Sequence, residues 1–319
     1  MPGINDDDLP SYRDLLAREE GPAGSAWGLW GQDDLFGALN LLTPERVRAA
    51  AALVRQGHVF ALNWDLNLPN PGFGVRGKPR HALWGRADYV RDDLLDNFYL
   101  QGSSHWDAFS HFGHPDHGFF GGVRPDEIHG GLGSRHGIEH FAARGLAGRG
   151  VLLDVGRWFA AQGRTFDYNA STPITVADLE GTRRAQGVEL RVGDVLLVRT
   201  GWMAHYLAQP QEWRTAIARD IAIPGLAAGP EMIAYLWDHH VAAVAADNYS
   251  VEVYPFPDLR SSLHVACLGL LGIPLGEFWD LEALAAGSAR DGVYDCLLTS
   301  APLHQVGGTA SPPNALAIK

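Results

Sequence analysis

Apolar positions fall into different patterns in the two halves of the chain. In the second half, short apolar runs end on polar residues: residues 150–155 with Asp154, 195–199 after the Gly193-Asp194 turn, and 241–246 running into Asp247 and Asn248. Runs of this length predict buried strands. Segments with helical spacing lie between them. Residues 175–184 predict a helix, with Thr175 and Asp178 placed as a variant of the capping box. Residues 230–239 and about 262–271 predict two more. Strands separated by helices, with polar residues at strand ends, predict an α/β fold.

The first half is less regular. Thr43-Pro44-Glu45 starts a helix: Thr43 caps it and Pro44 takes the first helical position. That helix is expected over 44–56, with Gly57 ending it. A strand follows within 58–67, centred on Val59, Phe60, Ala61 and Leu62. Residues 69–87 are rich in Pro, Gly and Arg. They predict a loop that carries Trp84 along one edge of a pocket. A strand-like run covers 97–100. Residues 113–150 are rich in Gly and His, with a helix expected near 137–144. Residues 1–25 form a polar surface arm that either hangs free or wraps a partner subunit. Residues 26–319 form one domain, without repeats or a low-complexity linker.

The 319 residues are 46% hydrophobic and 19% charged, enough for a full core. A net charge of −12 excludes a nucleic-acid surface, which needs clustered Lys and Arg. Cys267 and Cys296 both sit in apolar surroundings and read as buried thiols of a reducing compartment. The N-terminal residues lack an apolar signal core, and no apolar run reaches membrane-spanning length. The expected protein is cytoplasmic, with a small-molecule substrate and with neither a membrane nor a nucleic acid as partner.

The chemistry concentrates at residues 101–111, Gln-Gly-Ser-Ser-His-Trp-Asp-Ala-Phe-Ser-His. On an extended segment His105 and Asp107 point to the same face, because side chains alternate along a strand. An imidazole and a carboxylate converging there make half of a metal site. His111 follows four residues later, close enough to act on whatever the metal holds. Seven of the fourteen histidines fall between His105 and His140, a density that packing alone does not explain. Farther on, His264 starts a predicted helix and Glu277 ends the segment Gly-Ile-Pro-Leu-Gly-Glu. Taken alone, His264 reads as a capping or core histidine and Glu277 equally as a surface acid. Trp84, Tyr99, Trp106, Phe112, Phe119 and Phe120 are candidates for an aromatic pocket, of which about half are expected to be core. His114 and His117 are placed either at the entrance or behind the residues that line the site. Such a pocket suits a planar aromatic or cyclic substrate.

With these elements the chain resembles the cyclase family of metal-dependent hydrolases, which includes bacterial kynurenine formamidase and isatin hydrolase. The family signature is His-x-Gly-Thr-His-x-Asp-x-Pro-x-His, and residues 101–111 align with it. Residues 30–45, 245–248, 274–277 and 312–317 look like the longer bacterial and fungal branch. The resemblance therefore runs from about residue 27 to the C-terminus. It implies a swivelling β/β/α-type domain with a mixed sheet core and helices packed around it. It also implies a divalent cofactor, Mn²⁺ or Zn²⁺, held by His105 and Asp107, with His264 and Glu277 as the later ligands. His111 takes the place of the catalytic acid–base. A homodimer or homotetramer is implied too.

Three departures from the signature shape the expectation. Gln101 replaces the first His; its carbonyl oxygen ligates more weakly than imidazole, which weighs toward Mn²⁺ or Mg²⁺ and against a two-zinc site. Ser104 replaces Thr, and Phe109 replaces Pro, which changes a pocket wall. The implied activity is hydrolysis of an amide, lactam or lactone. Three other readings stand beside it. One is a cyclase or dehydratase on the same scaffold. Another is a non-haem iron oxygenase using His105, Asp107 and His264. The last is a purely structural metal, which would normally be four-ligand and Cys-rich.

Overall fold

A computed structural model describes residues 6–319. Its strands are β1 (Val59–Ala61), β2 (Arg80–Ala87), β3 (Val90–Asp96), β4 (His105–Asp107), β5 (Leu146–Asp154), β6 (Pro173–Ile174), β7 (Val195–Arg199), β8 (Gly225–Leu226), β9 (Ala243–Ala246), β10 (Leu275–Glu277), β11 (Asp295–Ser300), β12 (Ala310–Ser311) and β13 (Ala315–Ile318). Nine of them form one mixed sheet in the order β1-β13-β11-β5-β7-β9-β10-β4-β12. The centre, β5-β7-β9-β10, is parallel, and both flanks are antiparallel. All four residues of β9 and the first four of β7 are buried. Central parallel strands are covered on both faces, so their sequences are continuously apolar. This is the predicted α/β architecture with a mixed sheet core.

Local signals set the helix ends. The helix Val176–Gln186 opens on the expected capping box, in which Thr175 Oγ1 accepts from Asp178 N at 3.2 Å and Asp178 Oδ2 accepts from Thr175 N at 2.9 Å. Such a cap contributes about 1 kcal/mol. Thr43 caps the helix Pro44–Ala51, which ends five residues before the expected Gln56. The segment His264–Leu271 is a π-helix, apolar after His264 and almost wholly buried, and it closes at Gly272 with φ 65°. Gly272 and Gly37 are in backbone contact: a Cβ on Gly37 would lie 2.3 Å from the Gly272 carbonyl oxygen.

Several expectations need correction. The expected loop 69–87 is a loop only to Pro79; Arg80–Ala87 then pairs with Val90–Asp96 as a separate, exposed hairpin. Its Arg and Asp residues obscured the strand pattern. Residues 97–100 are not a strand, because Asn97 has a left-handed φ of 57° and starts a turn. The strand of this region is His105–Asp107 itself. The strand within 58–67 shortens to Val59–Ala61.

The expected arm 1–25 is described from residue 6; residues 1–5 lie outside the described residues. Within it, the helix Tyr12–Ala17 packs on the helix Pro230–Asp238: Tyr12 N donates to Asp238 at 2.6 Å and Trp237 Nε1 donates to the Pro10 carbonyl at 2.7 Å. Cys267 and Cys296 are buried free thiols. Among the described residues, no helix is long and apolar enough to cross a membrane.

Candidate metal centre

Strand register brings the site together. In the antiparallel pair β4–β10, Glu277 lies opposite His105 and Leu275 opposite Asp107. Residues directly opposite share a face of the sheet, and Asp107 shares it with His105 by the two-residue period. His105, Asp107 and Glu277 are all buried, and each offers a ligand atom within 4.8 Å of the others. His105 Nε2 is 3.5 Å from Asp107 Oδ1 and 3.3 Å from Glu277 Oε2. Ser104 fixes the strand ends: its hydroxyl accepts from Trp64 N at 2.7 Å and donates to the Phe278 carbonyl.

Each imidazole is oriented by a partner outside the cluster. His105 Nδ1 donates to the Ser103 carbonyl at 2.8 Å, which leaves Nε2 as a lone pair facing the two acids. His264 Nδ1 lies 2.8 Å from Glu252 Oε1, and its Nε2 lies 3.1 Å from Glu277 Oε1 and 3.9 Å from Asp107 Oδ2. The Glu252 carboxylate also accepts the Leu263 and His264 backbone N–H groups at 2.7 and 2.9 Å. Two non-glycine residues with left-handed φ sit beside these acids, Val251 at 58° next to Glu252 and Phe278 at 55° next to Glu277. Such backbone costs about 1–3 kcal/mol per residue and clusters at functional sites.

The electrostatics follow from burial and close charges. Burial alone would lower the His264 pKa, but the bonds to Glu252 and Glu277 outweigh it and push it up to about 10. Burial alone would raise the Asp107 carboxyl, yet His111, His105 and His264 hold it well below the usual range. His111 is held below its ordinary value by burial, against the pull of Asp107.

His111 Nε2 stands 3.7 Å from Asp107 Oδ1, at the edge of the cluster. Gln101, expected as a ligand, makes its side-chain contacts elsewhere: its amide nitrogen is 3.3 Å from His111 Nδ1 and 3.4 Å from Thr309 Oγ1. It makes no hydrogen bond to His105, Asp107 or Glu277. The structure also corrects the expectation of a pocket position for Trp106. It points to the opposite face of β4 from His105 and Asp107, fully buried against Trp279, with Nε1 donating to Ser300 at 3.0 Å. The alternation that pairs His105 with Asp107 sends Trp106 the other way.

Of the remaining pocket candidates, Phe112 lies beside the cluster, with its ring 4.8 Å from that of His111 and 5.0 Å from that of His264. Trp84 stands half-exposed on the separate hairpin. Phe119 holds a turn by bonding Val123, and Phe120 packs in the core on Phe109. His114 and His117 stack on each other at 4.5 Å in the loop that follows Phe112. Sequence reasoning missed Glu252, Arg76 and Phe256. Glu252 carried a signal, an acid set between Val251 and Val253. The Phe256 ring lies 5.3 Å from that of His264. Arg76 Nη1 lies 3.8 Å from Glu277 Oε2.

Residues 43–253 match the family described as "Putative cyclase", and the chain belongs to that cyclase family. A crystal structure described as a novel cyclase is 34% identical, with a TM-score of 0.83 over 92% of this chain and 99% of that one. Isatin hydrolase A from Labrenzia aggregata, bound to benzyl benzoate, has a TM-score of 0.56 at 17% identity, over 84% of this chain and 94% of that one. Isatin hydrolase A from Ralstonia solanacearum has the same score and identity, over 87% and 98%. At that identity the two hydrolases share the fold. No curated protein matches the chain.

Proposed function

We propose that the chain is a metal-dependent hydrolase that opens an amide, lactam or lactone bond in a small planar substrate. One observation carries this reading. His105 Nε2, both Asp107 carboxylate oxygens and Glu277 Oε2 are buried without a hydrogen-bond partner. A buried polar atom left unpaired costs about 1–3 kcal/mol, more when charged. Four such atoms facing one another fit a bound cation. Imidazole and carboxylate donors suit Mn²⁺ or Zn²⁺. His105, Asp107 and Glu277 would hold the ion, with His264 Nε2 as the next donor. When bound, such an ion supplies Lewis acidity, polarising a carbonyl and lowering the pKa of water.

The chain's own groups supply the rest. His111, neutral near pH 7, accepts a proton at Nε2 and returns it to the leaving nitrogen or oxygen. Flipped about its last bond, the Gln101 amide sets its oxygen where the nitrogen lies beside His111 Nδ1, so that it accepts Nδ1–H and leaves Nε2 as the base. Phe112 and Phe256 supply flat apolar surface beside His264. Two neighbours of the same fold are isatin hydrolases, which supports a cyclic amide as a substrate class.

The test is elemental analysis with and without chelator, paired with hydrolysis assays on N-formyl aromatic amines, isatin-like lactams and aryl lactones. Stoichiometric metal with chelator-sensitive hydrolysis is expected. A protein that holds no metal after reloading overturns the reading. The relative described as a cyclase favours a second reading, ring closure with loss of water at the same site. Product analysis separates them, since hydrolysis takes up water. An oxygenase on a double-stranded β-helix does not match a sheet with a parallel centre. The reading includes a homodimer or homotetramer. In support, the β2–β3 hairpin exposes Leu83, Trp84, Tyr89 and Leu95, and an isolated hairpin is marginal in water.

A further inference from the structure

The loop before the hairpin brings a cation to the centre that the hydrolytic reading leaves unused. The Arg76 side chain is only 17% exposed. Its Nη1 donates to the Gln101 carbonyl at 3.1 Å. Its distance of 3.8 Å from Glu277 Oε2 is too long for a hydrogen bond. The guanidinium lies over the Tyr249 ring, 5.5 Å from its centroid. A guanidinium carries five N–H donors in a fixed fork, so this contact leaves the fork largely open.

Glu277 is the nearest counter-charge, and it is also one of the residues placed to hold the metal. Once its charge is engaged by a divalent ion, Arg76 is a mostly buried cation whose bonded partner is a neutral carbonyl. A buried charge needs a compensating partner. Hydrolysis of an amide, a lactam or a lactone always ends in a carboxylate, formed at the metal position a few ångströms away. The Tyr249 ring supports the guanidinium from one side.

We propose that Arg76 is the anion-binding residue of this site, taking a carboxylate of the substrate or product on its free N–H donors. This rests on the hydrolytic reading and deepens it, because it favours ligands that carry or generate a carboxylate beside a planar ring. It also separates the labour in the site: the sheet residues hold the metal, and a loop residue selects the charge of the ligand.

The test uses the full chain loaded with Zn²⁺, with metal content measured in every sample. Benzoate and its neutral isostere benzamide are titrated calorimetrically into wild type, Arg76→Leu and Arg76→Lys. The expected result is benzoate binding about tenfold or more tighter than benzamide in wild type, the size of one charge-assisted contact. Arg76→Leu should lose that preference at unchanged metal content, and Arg76→Lys should keep part of it. Equal benzoate affinity in wild type and Arg76→Leu overturns the proposal, as does a wild type without the preference. If Arg76→Leu instead loses metal, and benzoate binding falls only in proportion, Arg76 merely supports Glu277 and the proposal fails. A wild type that takes up no Zn²⁺ fails the hydrolytic reading and the anion proposal together, whereas full Zn²⁺ without Arg76-dependent binding fails the second alone.

Discussion

Glu252 makes no expected contact with substrate, yet the geometry gives it two measurable duties. Its carboxylate is wholly buried and accepts three N–H groups: the Leu263 and His264 amides and the His264 ring, at 2.7, 2.9 and 2.8 Å. Glu252→Leu leaves all three donors without an acceptor. At about 1–3 kcal/mol for each buried donor, less what relaxation and water entry recover, the loss should be about 3–5 kcal/mol, the usual result of breaking a buried pair. Glu252→Gln keeps the shape and one acceptor oxygen, so about 1–3 kcal/mol is expected. The second duty concerns the metal. Without the carboxylate, the His264 ring is no longer held with Nε2 toward Glu277, and losing such an outer partner costs about 10–100-fold in metal affinity. Urea unfolding of chelator-treated protein measures the first effect. Competition with a chromophoric chelator measures the second on Glu252→Gln, which should fold. A Gln variant whose metal affinity stays within about threefold of wild type, below the usual outer-partner effect, would refute the argument that Glu252 positions a ligand.

His111→Ala should abolish turnover of whichever substrate the assays identify and leave metal content unchanged; normal turnover removes His111 from the mechanism. Asp107→Ala should lose metal, and a stoichiometric ion in that variant would show a wrong ligand set. His264, with its pKa pushed up to about 10, is charged at neutral pH in the metal-free protein. Its contribution to stability is present below its ordinary 6.5 and is lost as pH rises through about 10. If His264 ligates, metal uptake at pH 7.5 should release about one proton from it, and apparent affinity should rise about tenfold per pH unit. Calorimetry in two buffers of different ionisation enthalpy measures this, and no release from His264 excludes it as a ligand. His136 is lowered by burial to about 4, and its Nε2 is paired with the Phe120 carbonyl at 2.8 Å while Nδ1 has no partner. The unfolded chain therefore takes up the proton first, and stability should fall by about 2 kcal/mol between pH 7 and pH 5. Unfolding curves at the two pH values should show a fall about 2 kcal/mol larger in wild type than in His136→Gln.

What was legible in the sequence was whatever depends on local period. The apolar runs at β7 and β9 announced themselves because a strand covered on both faces needs no polar position. The capping box at Thr175 and Asp178 is local and was readable. His105 and Asp107 were readable as a pair because alternation is a property of any strand. The same rule, applied one residue further, would have removed Trp106 from the pocket. Pairing across strands was not legible. The segment Gly-Ile-Pro-Leu-Gly-Glu reads as a turn, but it holds a strand whose register sets Glu277 opposite His105, 172 positions earlier in the chain. Arg76 was hidden for a similar reason: nothing in residues 69–79 shows that the loop folds back over Glu277.

The division between sheet and loops also bears on how the site works. His105, Asp107 and Glu277 stand on adjacent strands of the main sheet, and Ser104 and the left-handed Phe278 fix where those strands end. The groups proposed to hold the ion are therefore as rigid as the core beneath them. His111, Phe112, Arg76 and Phe256 stand on connecting segments, where backbone can shift without disturbing the register. A metal geometry must be held closely, whereas a substrate wall can vary with the substrate. Substitutions at Phe112 or Phe256 should thus alter which ring is accepted and leave metal affinity in place. Substitutions at Ser104 should do the reverse, because its hydroxyl ties β4 to the end of β10.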